Sequence, residues 1–199
     1  MRPALFPVRS PSPVAGTASR RFRAAFASIG LVIGLGAALP LAGCIGGSAP
    51  ATLQTASPMQ VDESTTLAAV NAFRASQGMK PVKLSASLSA AARSQAMDMA
   101  AHDTMSHNLG GQTLPKRLAK AGYGWQVADE NIGEGYPTMA AAMLGWKNSP
   151  GHRKNLLDPG VTEIGIGAAE VSRSRYHYYW SLILAAPDQR RVTVIGAGS

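Results

Sequence analysis

The chain is predicted to fold as an α+β protein, a three-layer α-β-α sandwich around a central antiparallel sheet. Three observations lead there. Two segments near the C-terminal end alternate as strands do and are apolar on both faces. In Thr162–Val171, Ile164, Ile166 and Ala168 share one face while Gly165 and Gly167 lie on the other. In Tyr176–Ala185, Tyr176, Tyr178, Trp180, Leu182 and Leu184 share one face, with Tyr179 and Ile183 opposite. A strand apolar on both sides wants cover on both sides. Upstream lie several stretches with apolar residues at helical spacing, which supply that cover. Finally, one cysteine in 199 residues rules out a disulfide framework or a four-cysteine zinc ribbon, while 46% apolar content suffices for an ordinary core.

The elements follow in order. Asp62-Glu63 can cap and charge a first helix, with Leu67, Val70 and Phe73 on its inner face and Gly78 and Pro81 stopping it. A second helix begins near Ser85 or Ser87. Leu88, Ala91, Ala92, Gln95, Ala96 and Met99 trace one face, and it runs out between His102 and Met105. Alanine dominates this helix, so its neighbours can approach closely. After the Gly110-Gly111 break, Leu114 to Ala121 reads as a short helix ended by Gly122. Trp125 to Gly135 is strand-like and then turn-like. Thr138 to Lys147 is an apolar helix, and Ser149-Pro150-Gly151-His152 opens another short one to Leu157. Asp158-Pro159-Gly160 is a strong turn, and Ser172–Arg175 turns between the last two strands.

The formal net charge of +8 suggests nucleic acid until the charge is located. Arg2, Arg9, Arg20, Arg21 and Arg23 all precede residue 44 and meet no acid there. The remainder is only mildly basic and has no basic run longer than two, which argues against a nucleic-acid partner. An uncharged apolar run, Ala24 to Ala42, follows the arginines and ends at Leu41-Ala42-Gly43-Cys44. Cationic segment, apolar run and small residues before a cysteine form the pattern of a bacterial lipoprotein signal. Residues 1–43 are therefore expected to be a signal peptide, with Cys44 lipidated and holding the protein on a membrane. Several acyl chains on one cysteine anchor durably, at about 0.8 kcal/mol per buried CH₂. The alternative is an uncleaved transmembrane helix, which needs about 20 apolar residues; Gly30, Gly34, Gly36 and Pro40 weaken that helix. Residues 44–61, rich in Gly, Ala, Ser, Thr and Pro, read as a flexible tether with a reach of roughly 20–25 Å. The folded domain is then 62–199, expected to be monomeric and exported to the periplasm or cell exterior.

No Walker loop, HExxH, GxSxG or paired CxxC occurs, so any site must be assembled by the fold. His152 has the best local argument. With Ser149 capping and Pro150 first in the helix, His152 falls in the first turn, where the helix dipole disfavours imidazolium. A neutral imidazole suits metal binding or general-base work, and equally a packing role. His107 follows the second helix and reads from spacing alone as a surface histidine, as does His102; His177 reads as a cross-strand packing residue. Glu130 and Glu134 share a face if their segment is extended, so they either divide acid-base roles or serve as a turn cap and a solvated charge. Asn71 and Arg74 sit beside the apolar stripe of the first helix and read as a structural network. Ser106 beside His107 does not make a nucleophile, because adjacent residues on extended chain point apart.

Taken in order, the pieces resemble the CAP superfamily of cysteine-rich secretory, antigen 5 and pathogenesis-related proteins, in its bacterial SCP-like branch. They are Leu67-x-x-Val70-Asn71-x-x-Arg74, Gly78-x-x-Pro81, Ala96-Met97-Asp98-Met99-Ala100, Ser106-His107 and Glu130-Asn131-Ile132-Gly133. Trp146-x-x-Ser149-Pro150-Gly151-His152-Arg153-x-Asn155-Leu156-Leu157, Ile164-Gly165-Ile166-Gly167 and Tyr179-Trp180 complete the set. The resemblance implies a central cleft lined by His107, Glu130 and His152. It also implies a tetrad of two histidines and two carboxylates that can hold a divalent metal such as zinc. Animal members carry the second carboxylate shortly after the first histidine; here residues 108–114 hold no acid. Two functions are therefore expected in competition. One is a module whose cleft binds a small molecule, lipid, wall fragment or partner protein. The other is a metal-dependent hydrolase with His107 and His152 as ligands and Glu130 as ligand or base.

Overall fold

The computed structural model describes residues 53–189. In chain order the elements are β1 (Ser57–Pro58), α1 (Glu63–Ser76), β2 (Lys83–Leu84), α2 (Ala86–His102), α3 (Leu114–Lys120), β3 (Trp125–Glu134), α4 (Met139–Asn148), α5 (Pro150–Leu156), β4 (Glu163–Glu170) and β5 (Tyr178–Pro187). The sheet runs β1-β4-β5-β3, and short β2 shares the outer side of β4 with β1. β3, β5, β4 and β1 pair antiparallel, and β2 pairs parallel. This is the expected α-β-α sandwich.

Local chemistry sets the helix ends. Asp62 caps α1, its Oδ1 accepting from the amides of Ser64 and Thr65, both at 3.0 Å. Hydrogen bonds from the Ser64 and Thr65 hydroxyls, and then the amides, hold the Asp62 carboxyl far below its ordinary range. Arg74 is almost fully buried, and its guanidinium ties α1 to the carbonyls of Lys80 (2.8 Å), Leu156 (2.8 Å) and Asp158 (3.1 Å). Asn71 exchanges two bonds with the backbone of Val82, at 2.9 and 2.8 Å. Both residues do the structural work expected of them.

The two sheet faces are covered differently. On one, Ile164, Ile166, Ala168, Trp180, Leu182 and Leu184 meet Val70 of α1, Met143 and Trp146 of α4 and Leu156 of α5. On the other, Ile183 and Tyr179 meet α2 through Leu88, Ala91, Ala92, Ala96 and Met99. Gly165 and Gly167 let α2 lie directly on β4. A Cβ on Gly165 would collide with the backbone of Leu88 and Ser89, and one on Gly167 with that of Ala92 and Arg93.

Two expectations need correction. Residues 54–61, read as the end of a flexible tether, belong to the fold. Gln54 N bonds to Ala101 O at 2.8 Å, Ser57 and Pro58 pair with Glu170 and Ala169, and Met59 and Val61 pack on the core. Composition concealed this, because an edge strand of two residues needs little apolar sequence. His177 does not lie mid-strand either. It is exposed, with a φ of +60°, and β5 begins after it at Tyr178. The turn between β4 and β5 is accordingly longer than Ser172–Arg175. Among the described residues no helix is long and apolar enough to cross a membrane. The apolar run 24–42 and Cys44 lie outside the described residues.

Candidate functional site

The site is built around β3, the strand at the end of the sheet. Glu130 and Asn131 are consecutive there, so their side chains leave on opposite faces. Each fastens one histidine-bearing segment. On the α2 side, Glu130 is 5% exposed. Its Oε1 accepts from Arg117 Nη2 at 2.6 Å and from Ser181 Oγ at 3.1 Å, and its Oε2 faces His107 Nδ1 at 2.9 Å. On the α5 side, Asn131 Nδ2 donates to the carbonyl of His152 at 3.0 Å. Asn155 Nδ2 donates to Asn131 Oδ1 at 2.9 Å and to the Glu130 carbonyl at 3.3 Å. The strand thus brings His107 and His152 to its rim from two different layers.

A carboxylate paired with a guanidinium only accepts, so His107 Nδ1 donates to it. The Nε2 of a neutral His107 is then the acceptor, and the side chain is 58% exposed. His152 is half-buried. Its burial first, and the neighbouring His107 second, hold its pKa below the ordinary histidine value. The sequence argument expects a neutral His152 from the helix dipole; here the lowering comes from burial and from His107 instead. Ser149 does occupy the cap position and Pro150 opens α5, but the Ser149 side chain makes no capping bond.

Arg117 is a site residue that the sequence analysis does not name. It is 3% exposed on α3, and besides Glu130 it bonds through Nη1 to the carbonyls of His107 (3.1 Å) and Gln112. One guanidinium therefore fixes both the carboxylate and the loop that carries the histidine. The available signal was its place on the stripe of Leu114, Leu118 and Ala121, the same argument that marked Arg74. Beside it a cavity of about 420 Å³ opens between α2 and α3, lined by Ala91, Ser94, Asp98, Gln112, Arg117 and Lys120 among others.

The remaining candidates stand apart. Asp129 faces the other layer, where burial and the nearby Asp158 raise its pKa. Glu134 has Asp103 and Arg175 as charged neighbours, and burial raises its pKa. His102 Nδ1 lies 2.8 Å from the Asp98 carbonyl, on the surface. Ser106 Oγ accepts from Asn108 N at 3.1 Å and so braces the loop.

Among the described residues no group of three or more metal-capable side chains converges. Both Glu130 oxygens are engaged, Oε1 by Arg117 and Ser181 and Oε2 by His107. A set of two imidazoles and a Glu130 carboxylate does not fit this arrangement. The chain offers an ion His107 Nε2 and the His152 ring, with Glu130 behind His107 as its orienting partner.

A sandwich of this topology, with histidines brought to the rim of β3 by a Glu-Asn pair, defines a CAP-type domain. The family model described as the cysteine-rich secretory protein family matches residues 67–184, and the chain belongs to that family. It is 35% identical over 130 residues to the uncharacterized protein YkwD of Bacillus subtilis, covering 61% of this chain and 51% of the relative. It is 32% identical over 116 residues to the uncharacterized membrane protein YlbC of the same organism, covering 58% of this chain and 32% of the relative. The chain thus spans about half the length of the first and a third of the second. Among solved structures it resembles an extracellular SCP-domain protein of Bacillus anthracis, with a TM-score of 0.55 and 28% identity over 61% of this chain and 39% of that one. An outer surface protein of Borrelia burgdorferi shares the fold at a TM-score of 0.59 and 16% identity, covering 67% of this chain and all of that one.

Proposed function

We propose that this CAP protein is exported, anchored through a lipidated Cys44, and acts as a binding module of the bacterial envelope. The extracellular and outer-surface descriptions of its structural neighbours support export. Its ligand is a lipid, a wall fragment, a small molecule or a partner protein held where His107, Glu130 and His152 meet. One observation carries this reading over hydrolysis: the Glu130 carboxylate is buried against Arg117 and Ser181 and bonded to His107. So placed, it orients and does not attack. Wild type and His152→Ala, extracted as full chains and incubated with envelope extract, are to be compared by mass spectrometry of what co-purifies. Enrichment of one species by wild type alone is the expected result.

The second reading is the metal-dependent hydrolase. It draws on the His107–Glu130 pair, which leaves His107 Nε2 outward as a ligand. Turnover of an envelope substrate that needs added zinc and disappears in His107→Ala would replace the binding reading with this one.

A further inference from the structure

We propose that the β4–β5 turn and the adjoining start of the described chain form a docking face for an anionic lipid bilayer. This rests on the membrane-anchor reading of Cys44. In residues 171–177 the side chains of Ser172, Arg173, Arg175, Tyr176 and His177 are exposed, while Ser174 is buried. Ser174 holds the turn from within. Its Oγ donates to Asp103 Oδ1 and accepts from the amides of Tyr176 (3.0 Å) and His177 (3.3 Å). The Tyr179 hydroxyl donates to the same Asp103 oxygen at 2.5 Å. Two non-glycine residues of this brace, Asp103 and His177, have φ of +48° and +60°, conformations that cost energy.

What the clasp presents is cationic and amphipathic. The Arg175 guanidinium stacks 5.4 Å from the Tyr176 ring centre, a pair suited to the interface where one side is apolar and the other wet. A groove of about 760 Å³ runs from this turn to the start of the described chain, between Val171, Ser172 and Arg173 on one side and Leu53, Gln54 and Thr55 on the other. Leu53 is 61% exposed, and the groove lining holds no acid. The neighbouring acids are Asp103, occupied by Ser174 and Tyr179; Glu134, half-buried; and Glu170, at the end of β4.

Chain length bounds how far this face can lie from Cys44. Leu53 lies nine residues after Cys44. Nine residues span about 30 Å at most. A lipid on Cys44 therefore keeps Leu53 and the turn close to the bilayer, where a weak contact acts at high effective concentration. Each arginine near an anionic surface strengthens association about fivefold, and two together roughly 25–30-fold.

The test uses the full chain as purified from its membrane, reconstituted in vesicles of phosphatidylcholine alone or with phosphatidylglycerol. Hydrogen exchange of residues 171–177 is followed by mass spectrometry. Exchange should slow at least fivefold on the anionic vesicles relative to the neutral ones, and recover in 0.5 M salt (about a 4 Å screening length). Arg173→Ser/Arg175→Ser should exchange alike on both vesicles, and Arg93→Ser, on α2, should behave as wild type. Equal exchange of the wild type on both surfaces, or persistent protection in the double variant, overturns the proposal. The intact mass of the same sample records whether Cys44 carries lipid, so failure of the anchor reading is seen separately.

Discussion

The two faces of the sheet solve the same problem by opposite means. The face under α1, α4 and α5 is filled by volume: Ile164, Ile166, Leu182, Leu184, Trp146 and Trp180 interlock. The face under α2 is filled by proximity: glycine on β4 meets alanine on α2, and the helix backbone rests almost on the strand. The volume-filled face encloses the polar side chains of Arg74 and Asn131, each tied to backbone carbonyls. The closely approached face also encloses the Arg117–Glu130 pair and Ser181. The difference teaches that small residues here do more than fill space. They seat a helix directly on the sheet, on the face that also buries the Arg117–Glu130 ion pair.

The comparison breaks most easily where nothing can yield. Gly167→Val is expected to cause the largest loss of stability and a sharp drop in folded yield, because the new side chain meets the α2 backbone and not a flexible side chain. Overpacking commonly costs about 1–3 kcal/mol, and rigid neighbours place this site at or beyond the top of that range, against about 5–15 kcal/mol of total stability. Soluble yield and circular dichroism read the outcome; a variant that folds and melts like wild type would show that α2 is not seated on β4.

On the other face the damage comes from removing volume. Trp180→Ala is expected to cost about 3–5 kcal/mol. It opens a cavity in the cluster and deletes the bond from Trp180 Nε1 to the Tyr136 carbonyl at 2.7 Å. Urea unfolding measures it, and a loss under about 1 kcal/mol would remove Trp180 from the core.

The charged pair sharpens the contrast. Arg117→Ala strands the Glu130 carboxylate in a site 5% exposed, at an expected cost of about 3–5 kcal/mol. Arg117→Met with Glu130→Gln removes both charges and should regain most of that loss. Urea unfolding of the two variants decides it. A double variant no more stable than Arg117→Ala would mean that shape, and not the stranded charge, is what the single change destroys.

How much of this the sequence discloses differs between the faces. Period-two alternation displays large side chains, so the volume-filled face could be read residue by residue from Ile164 to Leu184. Gly165 and Gly167 could be placed opposite but not explained, because their partner is backbone, which has no side-chain signature. Asn71 and Arg74 were legible because polar groups beside an apolar stripe must find partners. Arg117 carries the same mark on a helix too short for its stripe to stand out. The histidines could be named through the family resemblance, while spacing alone left His107 on the surface. Their meeting depends on Glu130 and Asn131 leaving one strand in opposite directions to contacts 23 and 21 residues away in the chain.

The smallest expected effect probes a place where the two layers meet at the rim of β3. His152 belongs to α5 and His107 to the loop after α2, yet the His152 pKa is held down by burial and then by His107. The folded state therefore binds that proton less readily than the unfolded chain, whose histidine titrates near 6.5. The stability this supplies is present above about pH 6.5 and is lost as pH falls through the folded-state value. One pKa unit corresponds to about 1.4 kcal/mol, and partial solvent access keeps the contribution of His152 below a fully buried group's. Urea midpoints at pH 7.5 and 5.5 should thus fall more for wild type than for His152→Gln. Removing His107 tests the coupling itself. In His107→Ala the imidazole of His152, followed by NMR, should titrate higher than in wild type, since one of its two depressing influences is gone. Burial remains, so it should stay below the unfolded value. A His152 titration unmoved by His107→Ala would leave the two histidines side by side without electrical contact, and the rim of β3 held by the hydrogen bonds of Asn131 and Asn155.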